Sequence, residues 1–266
     1  MKRWWLGGLA LLLVAACATS PTGRKQLILF GDGEVAQLGL NSFDELKKQE
    51  KISTDKKLTR YVQCVSDAIV QEIPASYKTS VADWQVVLFD SNDVNAFALP
   101  GGRIGVYTGL FKAAKNQDQL AAVLGHEVAH VLARHSNERL SQSQLANVGM
   151  AAADSALADS EMRQPAMAAL GLGTQVGVLL PYGRVQESEA DILGLQLMAS
   201  AGFKPEQAVE LWHNMAAVTK GKAPPEFLST HPSSDSRISE LQKQLAVVAP
   251  YYAKAQELGR KPQCQN

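Results

Sequence analysis

The chain has 266 residues, of which 46% are apolar and 20% are charged, and these are ordinary values for a globular protein. Lysine and arginine together number 26, as do aspartate and glutamate, so the formal net charge is zero. This balance argues against a protein that binds nucleic acid, because such proteins carry a basic excess that neutralises phosphate. The chain has five histidines, and any metal site must draw on these or on carboxylates.

The first 16 residues have the pattern of a secretory signal peptide. Two basic residues precede an apolar run over residues 6–16, which is too short to cross a membrane as a helix. Residues 14–17 (VAAC) also resemble the lipobox of bacterial lipoproteins, which implies cleavage before Cys17 and attachment of lipid to its thiol. A plain signal peptide followed by a chance cysteine is the alternative. Because residue 18 is alanine rather than aspartate, the usual sorting pattern implies the outer membrane, with the body of the protein in the periplasm.

The rest of the chain is predicted to form one domain. Residues 17–32 are rich in Ser, Thr, Gly and Pro and are predicted to be a lipid-anchored tether, residues 33–250 the domain and residues 251–266 a tail. The periplasm permits disulfides, so a bridge between Cys64 and Cys264 would tie the tail to an early helix. Their spacing is not that of a C-x-x-C metal or redox site, and the sequence leaves their separation in space open.

Local patterns predict a fold that is mainly helical, with a small sheet of about three strands. Residues 33–50 and 55–73 have the apolar spacing of amphipathic helices. Residues 84–89 are rich in β-forming side chains, and a Pro-Gly-Gly turn lies within residues 94–108. A helix capped by Asn116, with Gln119 completing a capping box, is expected next. Later helices are predicted over 136–180 (two helices), 184–201, 205–219 and 234–248.

The apolar run over residues 166–180 is shorter than a membrane span and contains Gln175. We therefore expect a packed or groove-lining helix. The segment GLGTQVG (171–177) within it lacks the glycine spacing of the dinucleotide-binding motif and follows no predicted strand. Nucleotide binding is accordingly not expected.

One stretch, AAVLGHEVAHVLARH (121–135), matches H-E-x-x-H at His126, Glu127 and His130. Histidines four residues apart lie on one face of a helix, so both rings can reach the same metal ion. Glu127 lies about 100° round the helix from His126 and can face the remaining coordination position. This is the arrangement of a zinc hydrolase, in which the carboxylate takes a proton from water.

The same helix also permits an ordinary structural interpretation. H-E-x-x-H is short, and the flanking leucines and valines indicate a buried helix, which can carry histidines paired with backbone groups or acids. The metzincin pattern fails because positions 133 and 136 are alanine and serine. His135, five residues from His130, should point away from the metal face, and we interpret it as a surface histidine or one that supports a ligand.

A catalytic zinc usually has three protein ligands, and the segment GRVQESEADILG (183–194) offers the third. Glu187 and Asp191 share a helical face, so Glu187 can bind the metal while Asp191 accepts a hydrogen bond from a ligand imidazole. Glu189 lies about 200° from Glu187 and should face away. The alternative is a solvated acidic patch, and the apolar residues 192–198 that follow argue against it.

These motifs together resemble the gluzincin peptidases of metallopeptidase family forty-eight, in which H-E-x-x-H is followed by E-x-x-A-D. Residues 94–110 resemble the strand segment before the zinc helix, residues 229–238 a T-H-P element, and residues 21–30 the N-terminus of the secreted branch. The resemblance implies an α+β, zincin-like metalloprotease domain. Because no spanning helix is predicted after the signal peptide, the chain looks most similar to the LoiP-like lipoprotein branch.

The resemblance implies a role for each matching position. His126, His130 and Glu187 would bind zinc, one ion per chain, and Glu127 would be the general base. Asp191 would orient a ligand histidine.

Two further residues are implied to lie near the metal. His231 would stabilise the oxyanion or act as a gate that occupies the open position at rest, and a loop histidine held by the following proline is the alternative. Arg237 would support the oxyanion, or it would be an arginine on a helix surface.

The sequence therefore predicts a zinc-dependent endopeptidase of the bacterial envelope that cleaves unfolded or misassembled envelope proteins. The substrate would extend along one strand and pair with it through backbone hydrogen bonds. The residues of that strand are Asn95, Ala96, Phe97, Ala98 and Leu99. A chaperone-like lipoprotein that binds outer-membrane proteins without cleaving them is one alternative, although binding alone does not need Glu127. A zinc hydrolase of a non-peptide envelope substrate is another.

Overall fold

The computed structural model describes residues 17–174, 180–218, 227–228, 231 and 235–265, so the predicted signal peptide lies outside the described residues. The architecture is α+β and mostly helical, which confirms the predicted fold class. Among the described helices, none combines the length and apolar character needed to cross a membrane.

From residue 32 onwards the helices and strands follow the predicted order, and two strands that were not predicted precede them. The strands are β1 (Cys17–Thr19), β2 (Lys25–Leu27), β3 (Gln85–Phe89), β4 (Ala96–Leu99) and β5 (Arg103–Tyr107). The longer helices are α1 (Asp32–Gln49), α2 (Lys56–Val70), α3 (Gln117–Leu132), α4 (His135–Ala156), α5 (Arg163–Thr174), α6 (Leu180–Ser200), α7 (Gln207–Val218) and α8 (Asp235–Glu257).

The predicted three-stranded sheet is present with the order β3-β5-β4. β3 runs parallel to β5, and β4 runs antiparallel to β5 and forms one edge of the sheet. The turn between β4 and β5 places Gly101 and Gly102 at φ values of 88° and 73°, a backbone conformation that favours glycine. β4 also packs against α3, which brings an edge strand next to the helix that carries H-E-x-x-H.

The segment expected to be a tether is folded. β1 and β2 pair as an antiparallel hairpin. Gln26 is buried, and its side chain donates to the carbonyl of Ala133 at 2.7 Å. The Leu29 amide donates to Ser141 Oγ at 2.9 Å. These contacts attach residues 17–30 to the region where α3 ends and α4 begins.

Helices α3 and α6 form the centre of the molecule. Their closest approach is at Gly125 and Gly194, where a Cβ on Gly194 would lie 2.7 Å from the His126 amide nitrogen. This approach requires glycine, because a Cβ atom almost never lies so close to a backbone atom of a neighbouring helix. Apolar residues of α2, the sheet and α7 surround the two helices.

The cap of α3 differs in detail from the prediction. Asn116 Oδ1 accepts from the Gln119 amide at 2.9 Å, as expected of an N-cap. The Gln119 side chain, however, accepts from the Lys115 amide at 2.7 Å, so the reciprocal bond of a capping box is shifted by one residue. The Asn214 side-chain amide also donates to Gln119 Oε1 at 3.1 Å, which places the Gln119 side chain between α3 and α7.

The predicted helices between 136 and 180 are α4 and α5, but the apolar run is not packed where it is described. Leu170 is 44% exposed, and α5 is attached to α4 by an ion pair of 2.7 Å between Arg163 and Asp154. Residues 175–179, with the end of the glycine-rich segment, lie outside the described residues.

The C-terminal helix extends further than predicted, to Glu257, and the chain after it returns to the body of the protein. Cys64 on α2 and Cys264 form a disulfide with a Cα–Cα distance of 5.7 Å. The Cys264 amide also donates to Gln117 Oε1 at 2.8 Å. The predicted tail is thereby joined to α2 and to the start of α3.

Candidate metal centre

α3 presents His126 and His130 on one face, as their spacing predicts. Both rings are buried, and their Nε2 atoms lie 3.1 Å apart. Two imidazole nitrogens at this distance can share one metal ion. α3 can hold them inside the protein because its other faces are apolar and packed on every side.

Two residues from later in the chain complete the cluster. Glu187 on α6 places carboxylate oxygens 3.3 Å from His126 Nε2 and 3.4 Å from His130 Nε2. His231 Nδ1 lies 2.8 Å from Glu187 Oε2 and 3.2 Å from His126 Nε2. The donor atoms of all four residues lie within 4.8 Å of one another. The predicted third ligand is therefore beside the histidines, and His231 is in the position of a fourth.

This set of donor atoms fits zinc. Zinc prefers four ligands in a tetrahedron and accepts both imidazole nitrogen and carboxylate oxygen. His126, His130 and Glu187 are the three that would hold it in a catalytic site, which leaves one position for water or substrate. His231 is the fourth residue of the cluster and lies beside these three.

Burial and the carboxylates together set the charges of this cluster. Burial by itself lowers the pKa of His126, but hydrogen bonds with Asp191 and Glu187 raise it to about 9. Burial and the charge of His126 lower the pKa of His130 well below its usual range. Burial raises the pKa of Glu187, but hydrogen bonds from His126 and His231 hold it far below its usual range. A metal ion that binds His126 Nε2 therefore displaces a proton.

Asp191 supports His126 from behind. Its Oδ1 lies 3.0 Å from His126 Nδ1, so Nδ1–H donates to the carboxylate and Nε2 is the nitrogen from which a metal would displace a proton. Arg237 donates to Asp191 through Nε at 2.5 Å and Nη2 at 2.8 Å. Burial opposes ionisation of Asp191, but the Arg237 charge and these hydrogen bonds hold its pKa below the usual value.

Arg237 is a buried residue, so its interpretation as a surface arginine is wrong. Its Nη1 lies 3.1 Å from Glu187 Oε2, and its guanidinium stacks on Trp212 at 4.0 Å. The guanidinium thus pairs with both Asp191 and Glu187. To stabilise an oxyanion directly, Arg237 would have to donate to the oxyanion as well as to these two carboxylates.

His135 is also buried, which excludes a surface histidine and leaves the other interpretation, that His135 supports a ligand. Its Nδ1 lies 2.8 Å from His130 Nδ1, and its Nε2 lies 3.1 Å from Glu189 Oε2. His135 therefore lies behind His130, as Asp191 lies behind His126. Burial lowers the pKa of His135, which favours the neutral ring.

Glu189 points away from the cluster, as helical spacing predicts, but Glu187, Glu189 and Asp191 are all buried. The interpretation as a solvated acidic patch is accordingly wrong. The physical reason is that each carboxylate has a cationic or imidazole partner. Arg24 supplies one for Glu189 at 2.9 Å.

Within the described residues, Glu127 is the carboxylate of the site with the fewest partners. It is 2% exposed, and its Oε1 has no hydrogen bond within the part of the chain described, although His231 Nε2 lies 3.5 Å away. A buried carboxylate oxygen without a protein donor is able to accept a proton from water. This is the position expected of a general base.

The predicted substrate strand adjoins the cluster. β4 covers Ala96–Leu99, and Asn95 precedes it with its carbonyl accepting from the Tyr107 amide at 3.1 Å. The Phe227 amide bonds to the carbonyl of Val94 at 3.3 Å. The Phe227 ring lies against that of His231 with centroids 4.7 Å apart, so the start of β4 is connected to the cluster.

Three features of the site escaped sequence analysis. These are the helix crossing at Gly125 and Gly194, the pairing of His135 with Glu189, and the part played by Arg24. The spacing of Glu189 and His135 gives no sign that they meet, because they lie on different helices. Arg24 lies in the PTGR sequence, whose pattern does not point to Glu138 or Glu189.

A mainly helical domain in which the histidines of H-E-x-x-H converge with a glutamate from a later helix defines the gluzincin class of metallopeptidase folds. The profile of peptidase family M48 matches residues 56–245, and the chain belongs to this family.

Named relatives support this assignment. The mitochondrial metalloendopeptidase OMA1 of Schizosaccharomyces pombe is 37% identical over 179 residues, covering 66% of this chain and 51% of the relative. OMA1 of Danio rerio is 33% identical over 265 residues, covering 91% and 55%. The beta-barrel assembly-enhancing protease of Escherichia coli is 29% identical over 245 residues, covering 85% and 49%. The chain thus spans about half the length of these relatives.

Proposed function

We propose that the protein is a zinc-dependent endopeptidase of the bacterial cell envelope that cleaves unfolded or misassembled envelope proteins. One zinc ion per chain would be held by His126, His130 and Glu187. The observation that carries the proposal is the convergence of these donor atoms beside Glu127. This carboxylate is buried, and its Oε1 has no hydrogen-bond donor among the described residues. A protein that only bound its partners would have no use for that carboxylate.

The chain's own residues account for the proton transfers of peptide hydrolysis. Zinc bound in this site supplies Lewis acidity, which polarises the scissile carbonyl and makes water more acidic. Glu127 takes a proton from the attacking water and delivers it to the leaving amine. Asp191 holds His126 in the tautomer that presents Nε2 to the metal.

His231 has two roles open to it, and its position supports the role of a gate. Its Nδ1 is as close to Glu187 and His126 as a fourth ligand would be. A substrate carbonyl would have to displace it. After displacement, the same ring would be near enough to donate to the oxyanion.

The edge strand β4 is the proposed substrate platform. An extended segment would add to it as a further strand, beginning near Asn95. Backbone pairing reads the extended shape of a chain rather than its sequence. This mode suits substrates that are unfolded, since folded proteins rarely offer a free extended segment.

The envelope location rests on the N-terminal sequence and on one relative. The relative from Escherichia coli is named a beta-barrel assembly-enhancing protease, which supports a role in envelope quality control. The two OMA1 relatives are mitochondrial, so family membership alone does not give the location. We place the protein in the lipoprotein branch, attached to the periplasmic face of the outer membrane through Cys17.

Replacement of the lipidated cysteine tests this location. We expect the full chain to incorporate labelled fatty acid and to sediment with outer membranes. Cys17→Ser should be found unlabelled, outside the outer-membrane fraction. Equal sedimentation of both proteins would contradict lipid anchoring.

Substrate competition separates peptidase activity from the two alternatives. Zinc-loaded protein should degrade reduced casein and leave cell-wall fragments intact. Cleavage of the wall fragments instead would favour a non-peptide hydrolase. Suppression of casein aggregation without cleavage would favour the chaperone-like alternative.

A further inference from the structure

The N-terminal hairpin is connected to the metal cluster by an unbroken line of polar contacts. Arg24 Nε lies 3.0 Å from Glu189 Oε2, and the same oxygen lies 3.1 Å from His135 Nε2. His135 Nδ1 then lies 2.8 Å from His130 Nδ1. The other nitrogen of His130, Nε2, faces the cluster.

Only one arrangement of protons satisfies this line when both rings are neutral. An ionised carboxylate only accepts, so His135 Nε2 must carry the proton that it donates to Glu189. A neutral imidazole has a single N–H, so His135 Nδ1 is an acceptor. The atom facing it, His130 Nδ1, must then be the donor. His130 Nε2 is left with a lone pair that points at the metal position.

Arg24 holds the carboxylate that sets this direction. A buried, ionised Glu189 is costly unless it is paired. Arg24 pairs with it, and Thr22 Oγ1 donates to its second oxygen at 2.5 Å. Arg24 is itself fixed by two bonds of 2.7 Å to Glu138, so the guanidinium has little freedom to turn.

We propose that Arg24 is a positioning residue for the metal centre, acting through Glu189 and His135 to hold His130 in its metal-binding tautomer. The proposal rests on the proposed function in taking His130 as a zinc ligand. It makes the hairpin that begins at Cys17 a working part of the site. The arrangement matches the one behind the other histidine, where an arginine holds the carboxylate that orients the ring.

One neighbouring cation offers a competing arrangement. Arg139 Nη2 lies 3.3 Å from His130 Nδ1, and arginine can only donate. A bond from Arg139 would therefore need a lone pair on Nδ1 and would leave the proton on Nε2, where it blocks a metal. Arg139 already donates to Gln186 at 2.7 Å and is half-exposed. Arg139→Gln should accordingly leave the proton on His130 Nδ1.

Two matched variants test the proposal. Glu189 and Glu138 are both buried and both pair with Arg24, but only Glu189 contacts His135. In Glu189→Gln the amide can donate or accept, so it no longer dictates which nitrogen of His135 is protonated. We expect zinc affinity, measured by competition with a chelator, to fall by roughly 10- to 100-fold. Glu138→Gln leaves the contact between Glu189 and His135 in place and should therefore lose less zinc affinity than Glu189→Gln.

Nuclear magnetic resonance of the histidine rings gives a readout that does not depend on activity. The zinc-loaded wild type should show a His130 Nδ1–H signal protected from exchange. This signal should be weakened or lost in Glu189→Gln and kept in Glu138→Gln. Arg24→Gln should behave like Glu189→Gln. The double variant Arg24→Gln/Glu189→Gln should lose no more zinc affinity than the weaker-binding of the two single variants, because Arg24 acts through Glu189.

Equal zinc affinity and an equal His130 signal in the wild type and Glu189→Gln would overturn the proposal. If Glu189→Gln does not fold, Arg24→Lys is the second variant. Lysine keeps the positive charge but cannot make the several hydrogen bonds that the guanidinium donates to Glu138 and Glu189. It should show a smaller loss of zinc affinity, and no loss would overturn the proposal. If the wild type binds zinc with the proton on His130 Nδ1 but cleaves no protein, the proposed peptidase function is refuted and the positioning role of Arg24 is not.

Discussion

Each histidine proposed as a metal ligand meets the cluster through Nε2 and a supporting group through Nδ1. Asp191 supports His126, and His135 supports His130. Such supports fix the ring and make its free nitrogen a better ligand. His231 differs, since it approaches the cluster through Nδ1 while its Nε2 faces Glu127. This difference fits a ring that leaves the cluster when substrate binds.

Removal of the His231 ring tests the gate. His231→Ala should keep zinc, because three ligands remain, and its turnover of casein should rise. The rise would be about tenfold if the open state of the wild type is populated about a tenth of the time. His213→Ala, which removes an exposed histidine on α7, should change neither quantity.

A fall in turnover would give His231 a different role. A loss of about 10²- to 10³-fold is the size expected for removal of an oxyanion donor. Unchanged kinetics would contradict both roles.

At the residue scale, sequence analysis found the residues that one helix face or one motif brings together. His126, Glu127 and His130 share one helix, and Glu187 and Asp191 share another, so their relations follow from a fixed period. Arg24 could not be found in this way. Its partners lie 114 and 165 residues further along the chain, and only folding brings them within reach.

At the element scale, the site depends on how closely α3 approaches α6. The contact is backbone to backbone, since a Cβ on Gly194 would lie 2.8 Å from the Gly125 carbonyl carbon. The glycine next to His126 therefore meets α6, the helix that carries Glu187. Any increase in this separation would draw the carboxylate away from both histidines.

Gly194→Ala tests this dependence. The added methyl should force the helices apart, lower the free energy of unfolding by about 1–3 kcal/mol and weaken zinc binding. Gly183→Ala on the same helix is the matched control, because nothing lies within 4 Å of its Cβ and alanine favours a helix. The dependence would be disproved if thermal unfolding and zinc titration were the same for both variants.

The elements themselves were largely predictable, and their ends were not. The apolar periodicity that predicts α2 over residues 55–73 persists past Val70, where the helix ends. α8 continues to Glu257, past Pro250 within the helix, although the sequence predicted an end at 248. The β1–β2 hairpin was missed because its residues resemble a linker in composition. Its stability comes from contacts with α4 and α6 rather than from a local pattern.

At the scale of the whole molecule, both ends of the described chain are attached to the body of the domain. The hairpin is held by Arg24, and the C-terminal segment is held by the disulfide between Cys64 and Cys264. The bridge joins residues 200 positions apart, so it restricts the unfolded chain considerably. The sequence supplied both cysteines but could not show that they meet.

Thiol counting and thermal unfolding test the bridge. Oxidised mature protein should contain no free thiol at Cys64 or Cys264. The double variant Cys64→Ala/Cys264→Ala should lose about 2–5 kcal/mol of stability and keep its zinc, since neither residue contacts the cluster. Two free thiols in the oxidised protein would contradict the bridge.

The most direct test of the central claim compares cleavage of reduced casein by the zinc-loaded mature protein and by Glu127→Gln. The zinc content of both proteins is measured in the same samples. We predict cleavage by the wild type and a loss of about 10²- to 10⁴-fold in the variant, with zinc still bound, because the glutamine cannot take a proton from water. Equal cleavage by the two zinc-loaded proteins would contradict the assignment of Glu127 as the base and, with it, the proposed mechanism.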